Sequence, residues 1–455
     1  MSNQERPTLS LCMIVRNESR FLADCLSSVR DVVDQIVVVD TGSTDNTVEI
    51  AKKFGAEVHH FEWCDHFAAA RNASIQHATG DWILWMDADE RLWKESRETL
   101  LNELTVEKEP VMVLVQIASV VKAGQHVHMS TGHRLFTNHH GIYFSGRIHE
   151  QISPSVSKMG GKTRNSKIIL DHLGYDNADQ ALQDHKRLRN RKLLEQMAEE
   201  CPDSAYAHFT LAQHYVLSEE IEKSLPHFQK GLDLDQFDKA MTVSLYNAFA
   251  EACMKVQDLD KAEDLLRYSL KLQANQIGGY YLSYRVAMER GEHASARKYL
   301  LKLAEQNRRT RPEDNQISTD IIINESQIDF ELGQLALREG NFEEALTYLE
   351  KVLPVHPENT RLLRQLAELY LKTQRLSEAR TVLCKLWEKE PENAQVADLL
   401  SVVLIKMERF REASMVLEKS LAYDPTPVLV RRLAGIYAKG GDQQRALNLL
   451  QTLPQ

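Results

Sequence analysis

Three carboxylates follow a run of large apolar residues in the segment ILWMDADE, residues 83–90. The apolar run predicts a buried strand, with Asp87 and Asp89 at its end. On an extended backbone, both side chains would lie on the same side of the chain, about 7 Å apart at their α-carbons. Two such carboxylates can share one cation. Oxygen ligands suit Mg²⁺ or Mn²⁺, which keep positions open for water and phosphate, so the pattern predicts a divalent metal site.

An acidic surface turn is the alternative explanation of Asp87 and Asp89, because such turns are common. The apolar segment DWILWM in front of Asp87 favours the metal site. A surface turn does not require a buried strand before it.

The apolar runs that would position these carboxylates alternate with amphipathic segments from residue 8 to about 175. Four runs have the length and branching of buried strands: LSLCMIV, QIVVVD, DWILWMD and VMVLVQIASVV. Helices are predicted between the first three. Ser43 or Thr44 is the expected N-cap of one helix, and Gly55 its left-handed C-terminal residue. This alternation predicts a mostly parallel α/β sheet, with ligands at the strand ends where Asp40 and Asp87 fall.

Beyond about residue 180, a small residue recurs with a period near 34 residues. In several repeats a second small residue lies twelve positions earlier and a proline twelve positions later. The recurring positions are Ser224, Ala262, Ala296, Ala345, Ala379, Ala413 and Ala446. The pattern looks like the tetratricopeptide repeat, in which small residues let two antiparallel helices approach closely. It predicts about seven repeats in a right-handed superhelix with a concave face, and a surface loop at the insertion near 307–320.

Composition narrows the class of protein. The 455 residues suffice for about two or three domains, and 65 acidic against 55 basic residues give a net charge of −10, which does not suit a protein that coats nucleic acid. The six cysteines are scattered without a CxxC pair, so we expect buried thiols in a reducing compartment. We find no apolar leader and no stretch of the roughly 20 apolar residues that span a membrane. We expect a cytoplasmic protein without a transmembrane segment, for which peripheral membrane association stays open.

Three segments and their spacing resemble the family 2 glycosyltransferases, which have the GT-A type fold: LCMIVRNE at 11–18, IVVVDTGSTDNT at 36–47 and FAAARNASIQHATGDWILWMDADE at 67–90. With RLF and GRIHEQI downstream and repeats after them, the chain is similar in layout to bacterial glycosyltransferases that include the sublancin-type peptide S-glycosyltransferases. The resemblance implies an α/β nucleotide-sugar domain of GT-A type at 1–178. An all-α tetratricopeptide-repeat superhelix would follow at 179–455.

The resemblance also implies which residues bind the nucleotide. The residues that would hold the base and ribose of a nucleotide sugar are Val15, Arg16, Asn17, Glu18 and Asp40. Thr41 departs from the family, because many members have a second aspartate at this position. Uridine is nevertheless the expected base.

The resemblance implies further roles around the acidic pair. Arg71 would lie near the nucleotide. Asp87 and Ala88 would contact the ribose or the water shell of the metal, and Asp89 would ligate the metal that bridges the phosphates. A structural alternative for Arg71 and Asn72 is that they cap the packing of an alanine-rich helix.

A catalytic base is also implied, because family 2 enzymes generally invert the anomeric carbon in one displacement and need a group that takes the acceptor's proton. Glu150 in GIYFSGRIHEQI is the candidate, since this stretch is predicted to end a strand about sixty residues after the acidic pair. In the alternative, Glu150 pairs with Arg147 or Arg134 and braces the acceptor loop. His149 or His172 would be a phosphate contact or a third metal ligand.

These features predict an inverting, metal-dependent glycosyltransferase that moves a hexose from a nucleotide sugar, expected to be a UDP-sugar, to a peptide or protein held by the repeats. A second hypothesis gives the enzyme a saccharide or lipid-linked acceptor in envelope or exopolysaccharide assembly. The third is a non-catalytic scaffold, against which the intact Asp40, Asp87, Asp89 and Glu150 argue. A scaffold or dimerisation arm is likewise the alternative role of the repeats, whose concave surfaces more usually hold a peptide.

Overall fold

A computed structural model of the chain describes residues 6–120, 126–173, 180–309, 323–423 and 425–453. The chain divides into two units, Met1–Val256 and Gln257–Gln455. The predicted boundary at 178/179, where strands give way to helices in the sequence, stays a prediction. Most of the insertion predicted near 307–320 lies outside the described residues.

The first unit contains an eight-stranded sheet, the helices that cover it and four further helices. Its elements are β1 (Leu9–Val15), α1 (Leu22–Val29), β2 (Gln35–Asp40), α2 (Thr47–Lys53), β3 (Glu57–His60), α3 (Phe67–Gln76), β4 (Trp82–Trp85), β5 (Glu90–Leu92), α4 (Ser96–Glu103), β6 (Val111–Val120), β7 (His126–Thr137), α5 (Ser153–Lys158), β8 (Lys162–His172), α6 (Gln180–Glu200), α7 (Ala205–Leu217), α8 (Ile221–Asp233) and α9 (Lys239–Lys255). The strand order is β3-β2-β1-β4-β7-β6-β8-β5. β3, β2, β1 and β4 are mutually parallel, and β7 pairs antiparallel with β4 and β6. The predicted α/β class is confirmed.

β1 is apolar except for Ser10, because both of its faces are covered. Leu11 and Met13 pack in one buried cluster with Leu26 of α1. Cys12 packs on the other face with Ala68 of α3. A strand buried on both faces needs no alternation of polar residues. The pairing also brings the carboxyl ends of β1, β2 and β4 side by side, where α/β sheets bind ligands.

The helix after β2 begins later than predicted. α2 starts at Thr47, with Asn46 at the N-cap position, so neither Ser43 nor Thr44 caps it. The Asn17 backbone N–H donates to Ser43 Oγ, and the Thr44 backbone N–H donates to the Asn17 side-chain oxygen. Ser43 and Thr44, which the local pattern assigned to the N-cap, therefore form hydrogen bonds with Asn17 instead.

The end of the same helix agrees with the prediction. Gly55 adopts a left-handed conformation with φ of 80°. Its N–H donates to the Lys52 carbonyl, and the Ala56 N–H donates to the Ala51 carbonyl. These two bonds form a Schellman motif, which satisfies carbonyls left open at the end of α2.

The second unit is helical throughout its described residues. Its elements are α10 (Leu259–Leu272), α11 (Ile277–Glu289), α12 (His293–Arg309), α13 (Glu325–Arg338), α14 (Phe342–Val352), α15 (Thr360–Lys372), α16 (Leu376–Lys389), α17 (Ala394–Lys406), α18 (Phe410–Leu421), α19 (Pro427–Lys439) and α20 (Gln443–Leu450). From α11 onwards, each odd-numbered helix packs against the even-numbered helix that follows it. All seven recurring small residues, from Ser224 in α8 to Ala446 in α20, are buried. The handedness of the predicted superhelix stays a prediction.

The six cysteines are all free thiols. Cys12, Cys25 and Cys253 are buried, as expected, and Cys384 is partly exposed. Cys64 and Cys201 are exposed, so the expectation of buried thiols is wrong for them. Both lie in connections between elements, which run over the protein surface. None of the described helices is long and apolar enough to cross a membrane.

Gly333 in α13 offers a test of close helix packing. A Cβ added there would lie 2.7 Å from Cδ2 and Cγ of Leu349 in α14, whereas a Cβ on Gly435 in α19 would meet nothing within 4 Å. We expect Gly435→Ala to stabilise the chain by about 0.5–1 kcal/mol through helix propensity. Gly333→Ala should instead destabilise it, because overpacking costs about 1–3 kcal/mol. Urea unfolding of both variants measures the difference, and equal stabilisation would contradict the packing.

Candidate functional site

The loops after β1 and β2 are tied together at the sheet edge. The Val15 carbonyl accepts hydrogen bonds from the Thr41 backbone N–H at 3.0 Å and from Thr41 Oγ1 at 3.1 Å. The buried Asp40 carboxylate accepts from the backbone N–H groups of Gly42 and Ser43. Thr41, the departure from the family pattern, therefore fixes the end of β1 to the end of β2.

The residues after β1 form an open edge of the site. Arg16 and Asn17 are exposed, and Asn17 has a left-handed φ of 57°. The Glu18 backbone N–H donates to Thr47 Oγ1. Burial raises the pKa of Glu18 to about 7, and the neighbouring charge of Asp89 adds to this effect. Burial is the main cause of this raised pKa, and the charges of Asp87 and Asp45 act in the same direction as that of Asp89.

The acidic pair lies in a turn, so the prediction of an extended backbone at Asp87–Asp89 is wrong; that both carboxylates lie on one side stays a prediction. β4 ends at Trp85, and the Glu90 N–H donates to the Asp87 carbonyl at 3.0 Å. The turn is also closed from the side chain, because Glu90 Oε2 accepts from the Asp87 N–H at 3.0 Å. The side chain of Ala88 is buried. As a result, Asp87 and Asp89 have different partners.

Asp87 faces two arginines. Arg71 Nη2 lies 2.8 Å from Asp87 Oδ1, and Arg134 Nη2 lies 3.8 Å from Oδ2. Arg134 also pairs with the buried Glu90 at 2.8 Å. Both guanidinium groups lie over the Trp85 ring, 4.0 and 3.6 Å from its centroid. Burial opposes ionisation of Asp87, but the two guanidinium charges outweigh it and hold its pKa below the usual range.

Glu150 also pairs with Arg71, and both side chains are more than nine-tenths buried. This corrects two expectations. Glu150 does not end a strand but lies in the loop between β7 and α5, which is closed by an isolated bridge between Ser145 and Gln151. Its partner is neither Arg147 nor Arg134, since Arg147 pairs with Glu200 and Arg134 with Glu90.

Asp89 pairs with a histidine. His172 Nε2, at the end of β8, lies 3.3 Å from Asp89 Oδ2. The hydrogen bond to Asp89 raises the pKa of His172 despite its burial. Among the residues that the structure describes, no three His, Cys, Asp or Glu side chains are grouped to hold a metal ion. The oxygen and nitrogen donors of the pair fit a cation such as Mn²⁺, whose other ligands would be phosphate and water.

The remaining predicted residues lie around the Glu150 loop. His149 is exposed, has a left-handed φ of 53°, and its carbonyl accepts a hydrogen bond from the Tyr206 hydroxyl at 3.0 Å. Asn72 does not cap the α3 packing: its side chain donates to the Phe144 carbonyl and accepts from the Phe144 N–H. It therefore anchors the Glu150 loop on α3.

Sequence reasoning missed the roles of Trp85, Glu90 and Tyr206. Glu90 was visible as the third acid of the opening segment, and its position at the end of an apolar run could have indicated a buried acid that needs a cation. For Trp85, the sequence indicated only an apolar residue of a strand. Nothing local distinguishes Tyr206 from other tyrosines, because its partner lies 57 residues earlier.

Comparisons with known proteins agree with this geometry. Residues 10–162 match the family model of glycosyl transferase family 2, and residues 336–402 match a tetratricopeptide-repeat model. A TPR repeat-containing protein of Synechococcus elongatus is 35% identical over 271 residues, which are 58% of this chain and 66% of that protein. The SPbeta prophage-derived glycosyltransferase SunS of Bacillus subtilis is 29% identical over 238 residues, 50% of this chain and 54% of SunS.

An uncharacterized glycosyltransferase of Rickettsia conorii is 37% identical over 92 residues, 20% of this chain and 32% of that protein. The chain thus spans less than two thirds of the length of each of these relatives. The chain carries a family 2 glycosyltransferase domain at its N-terminus and tetratricopeptide repeats in its C-terminal part, and it is homologous to the SunS glycosyltransferase.

Proposed function

We propose that the protein is an inverting, metal-dependent glycosyltransferase that moves a hexose from a nucleotide sugar, with UDP as the expected nucleotide, to a peptide or protein acceptor. The observation that carries the proposal is an excess of negative charge at the carboxyl ends of the parallel strands. The acids there are Glu18, Asp40, Asp45, Asp87, Asp89, Glu90 and Glu150. The described cationic groups near them include Arg16, Arg71, Arg134 and Lys186, and His60 and His172 are charged only when protonated.

A divalent cation accounts for this excess. Asp89 and His172 would hold it, with Asp87 next to it. When bound, the metal neutralises charge on the diphosphate that leaves the sugar. Arg71 and Arg134 keep Asp87 ionised and orient it, and both add positive charge where the leaving group becomes anionic.

The nucleotide would bind at the ends of β1 and β2. Val15, Arg16, Asn17 and Glu18 line this edge, and Asp40 lies beside it. A carboxylate has about four acceptor sites, so Asp40 can still accept from a base or ribose after binding two backbone N–H groups. The family 2 match over 10–162 includes all of these residues.

The acceptor assignment rests on the repeats. Helical repeat proteins commonly bind extended peptides on a concave surface. The match to a tetratricopeptide-repeat model over 336–402 supports a peptide or protein partner. If the test below shows transfer to saccharides alone, a saccharide acceptor would replace the protein acceptor. The cytoplasmic location stays a prediction.

The deciding experiment is incubation with a panel of UDP-, GDP- and TDP-sugars and Mn²⁺ or Mg²⁺, first with water and then with peptide or saccharide acceptors. Released nucleotide identifies the donor, and the mass of the acceptor identifies the product. Release from no donor under any condition would reject the proposed activity. Transfer to saccharides but to no peptide would reject the protein acceptor.

Asp89→Asn tests the metal site. The substitution keeps the size of the side chain but removes its charge, so we expect donor turnover to fall by about two orders of magnitude or more. Asp24→Asn is the matched control, because Asp24 lies on α1 with its side chain 81% exposed. Thermal unfolding should be similar in both variants. Normal turnover of Asp89→Asn, or full activity after treatment with EDTA, would show that the metal assignment is wrong.

Glu150→Gln tests the base. Glutamine can still accept the hydrogen bond from Arg71 Nε but cannot take a proton, so we expect transfer to slow by about 10² to 10⁴ while UDP binding is unchanged. With a thiol acceptor, whose pKa is about 8.5, the rate should recover between about pH 7 and 9, because the acceptor ionises by itself. With a hydroxyl acceptor it should not recover. Unchanged transfer at pH 7 would reject Glu150 as the base and leave it only the structural role of pairing with Arg71.

A further inference from the structure

The loop that carries Glu150 packs against the first two helices after the sheet. Ile148 is buried in an apolar cluster with Leu194 and Met197 of α6 and Leu211 of α7. Phe67, the first residue of α3, packs against the same cluster. α6 and α7 therefore pack directly against the loop that carries Glu150.

Polar contacts fix the same surface. The Arg147 guanidinium forms an ion pair with Glu200, the last residue of α6, and its Nη1 donates to the Asp65 carbonyl at 3.0 Å. Lys192 Nζ in α6 lies 3.0 Å from Asp65 Oδ2. The Arg147 carbonyl accepts from the Phe67 N–H at 2.8 Å. The backbone two residues before the strained His149 is thus held from both α3 and α6.

His149 itself is strained. A left-handed conformation is uncommon for a residue other than glycine and persists where the surroundings determine it. The Tyr206 hydroxyl of α7 donates to the His149 carbonyl, which belongs to the peptide bond that leads into Glu150. The Tyr206 hydroxyl therefore contacts the peptide bond that leads into Glu150.

We propose that Tyr206 is a positioning residue for Glu150, and that through it the helical hairpin α6–α7 holds the Glu150 loop in place. The proposal rests on the proposed function, in which Glu150 is the base. Tyr206 acts through the backbone: its hydroxyl holds the peptide 149–150 so that the Glu150 carboxylate stays against Arg71.

Tyr206→Phe in the full chain is the test, and Tyr215→Phe is its matched control. Tyr215 lies on the same helix as Tyr206 and belongs to the apolar cluster that contains Ile148, but its hydroxyl donates a hydrogen bond to Glu195. Three quantities are measured: hydrogen exchange of residues 144–152, affinity for UDP with Mn²⁺, and kcat for hydrolysis of the UDP-sugar that the native enzyme cleaves fastest. For Tyr206→Phe we expect faster exchange of the loop, a kcat about tenfold to hundredfold lower, and UDP affinity within about twofold. Tyr215→Phe should change none of these.

Native-like loop exchange, or native kcat despite faster exchange, would overturn the proposal. Absence of any hydrolysis by the native chain would count against the proposed function, while the exchange of the loop would still test the hydroxyl. A His149→Gly background adds a second test, because glycine adopts a positive φ without steric cost. There, Tyr206→Phe should accelerate loop exchange less, and an equal acceleration in both backgrounds would refute the strain argument. If Tyr206→Phe alone does not fold, the double variant must fold for the proposal to stand, and its failure to fold would overturn the proposal.

Discussion

The buried guanidinium of Arg71 is the group on which the geometry of the candidate site depends. It pairs with Asp87 at the end of β4 and with Glu150 in the loop before α5, and it lies over the Trp85 ring. Three segments distant in the sequence thus meet at one side chain of α3. Removing one partner of a buried ion pair typically costs about 3–5 kcal/mol, because the other charge is left without compensation. Loss of Arg71 or Glu150 would leave a buried charge with one partner fewer, whereas the Asp87 side chain is 38% exposed and its loss should cost less.

The same arrangement determines how much of the negative charge in the acidic segment 83–90 is offset inside the protein. Part of the charge is offset inside the protein, since Arg71 and Arg134 neutralise Asp87, Glu90 and Glu150 in part. Within the described ranges, the side-chain partner of Asp89 is a histidine, which carries a full charge only when protonated. The uncompensated charge therefore concentrates at Asp89, the position where a cation is proposed. A buried pair such as Arg134–Glu90 is weak evidence for stability, and its value here is that it closes the turn that separates Asp87 from Asp89.

Apolar runs and small-residue periods were enough to predict the sheet and the repeats. β2 coincides with QIVVVD, and the recurring small residues are buried as the helix pairing requires. The types of the site residues were also readable, because Asp87 and Asp89 follow a buried strand. The turn that holds them was not, since it depends on the Glu90 side chain, which pairs with Arg134 44 residues away. The partner of Glu150 could not be predicted either, because Arg71 lies 79 residues away and local spacing gives no information about contacts at that distance.

Two left-handed residues show why a local pattern can identify an acid but not its setting. Asn17 precedes Glu18 and His149 precedes Glu150. Asparagine tolerates this conformation well, whereas histidine does so less readily. In each case hydrogen bonds from another segment hold the backbone: Ser43 and Thr44 contact Asn17, and Tyr206 contacts His149. The two acids thus project from backbone whose conformation is fixed by residues 26 to 57 positions away. Because the contact to His149 comes from α7, the geometry of the candidate site depends on residues beyond 10–162, the range of the family 2 match.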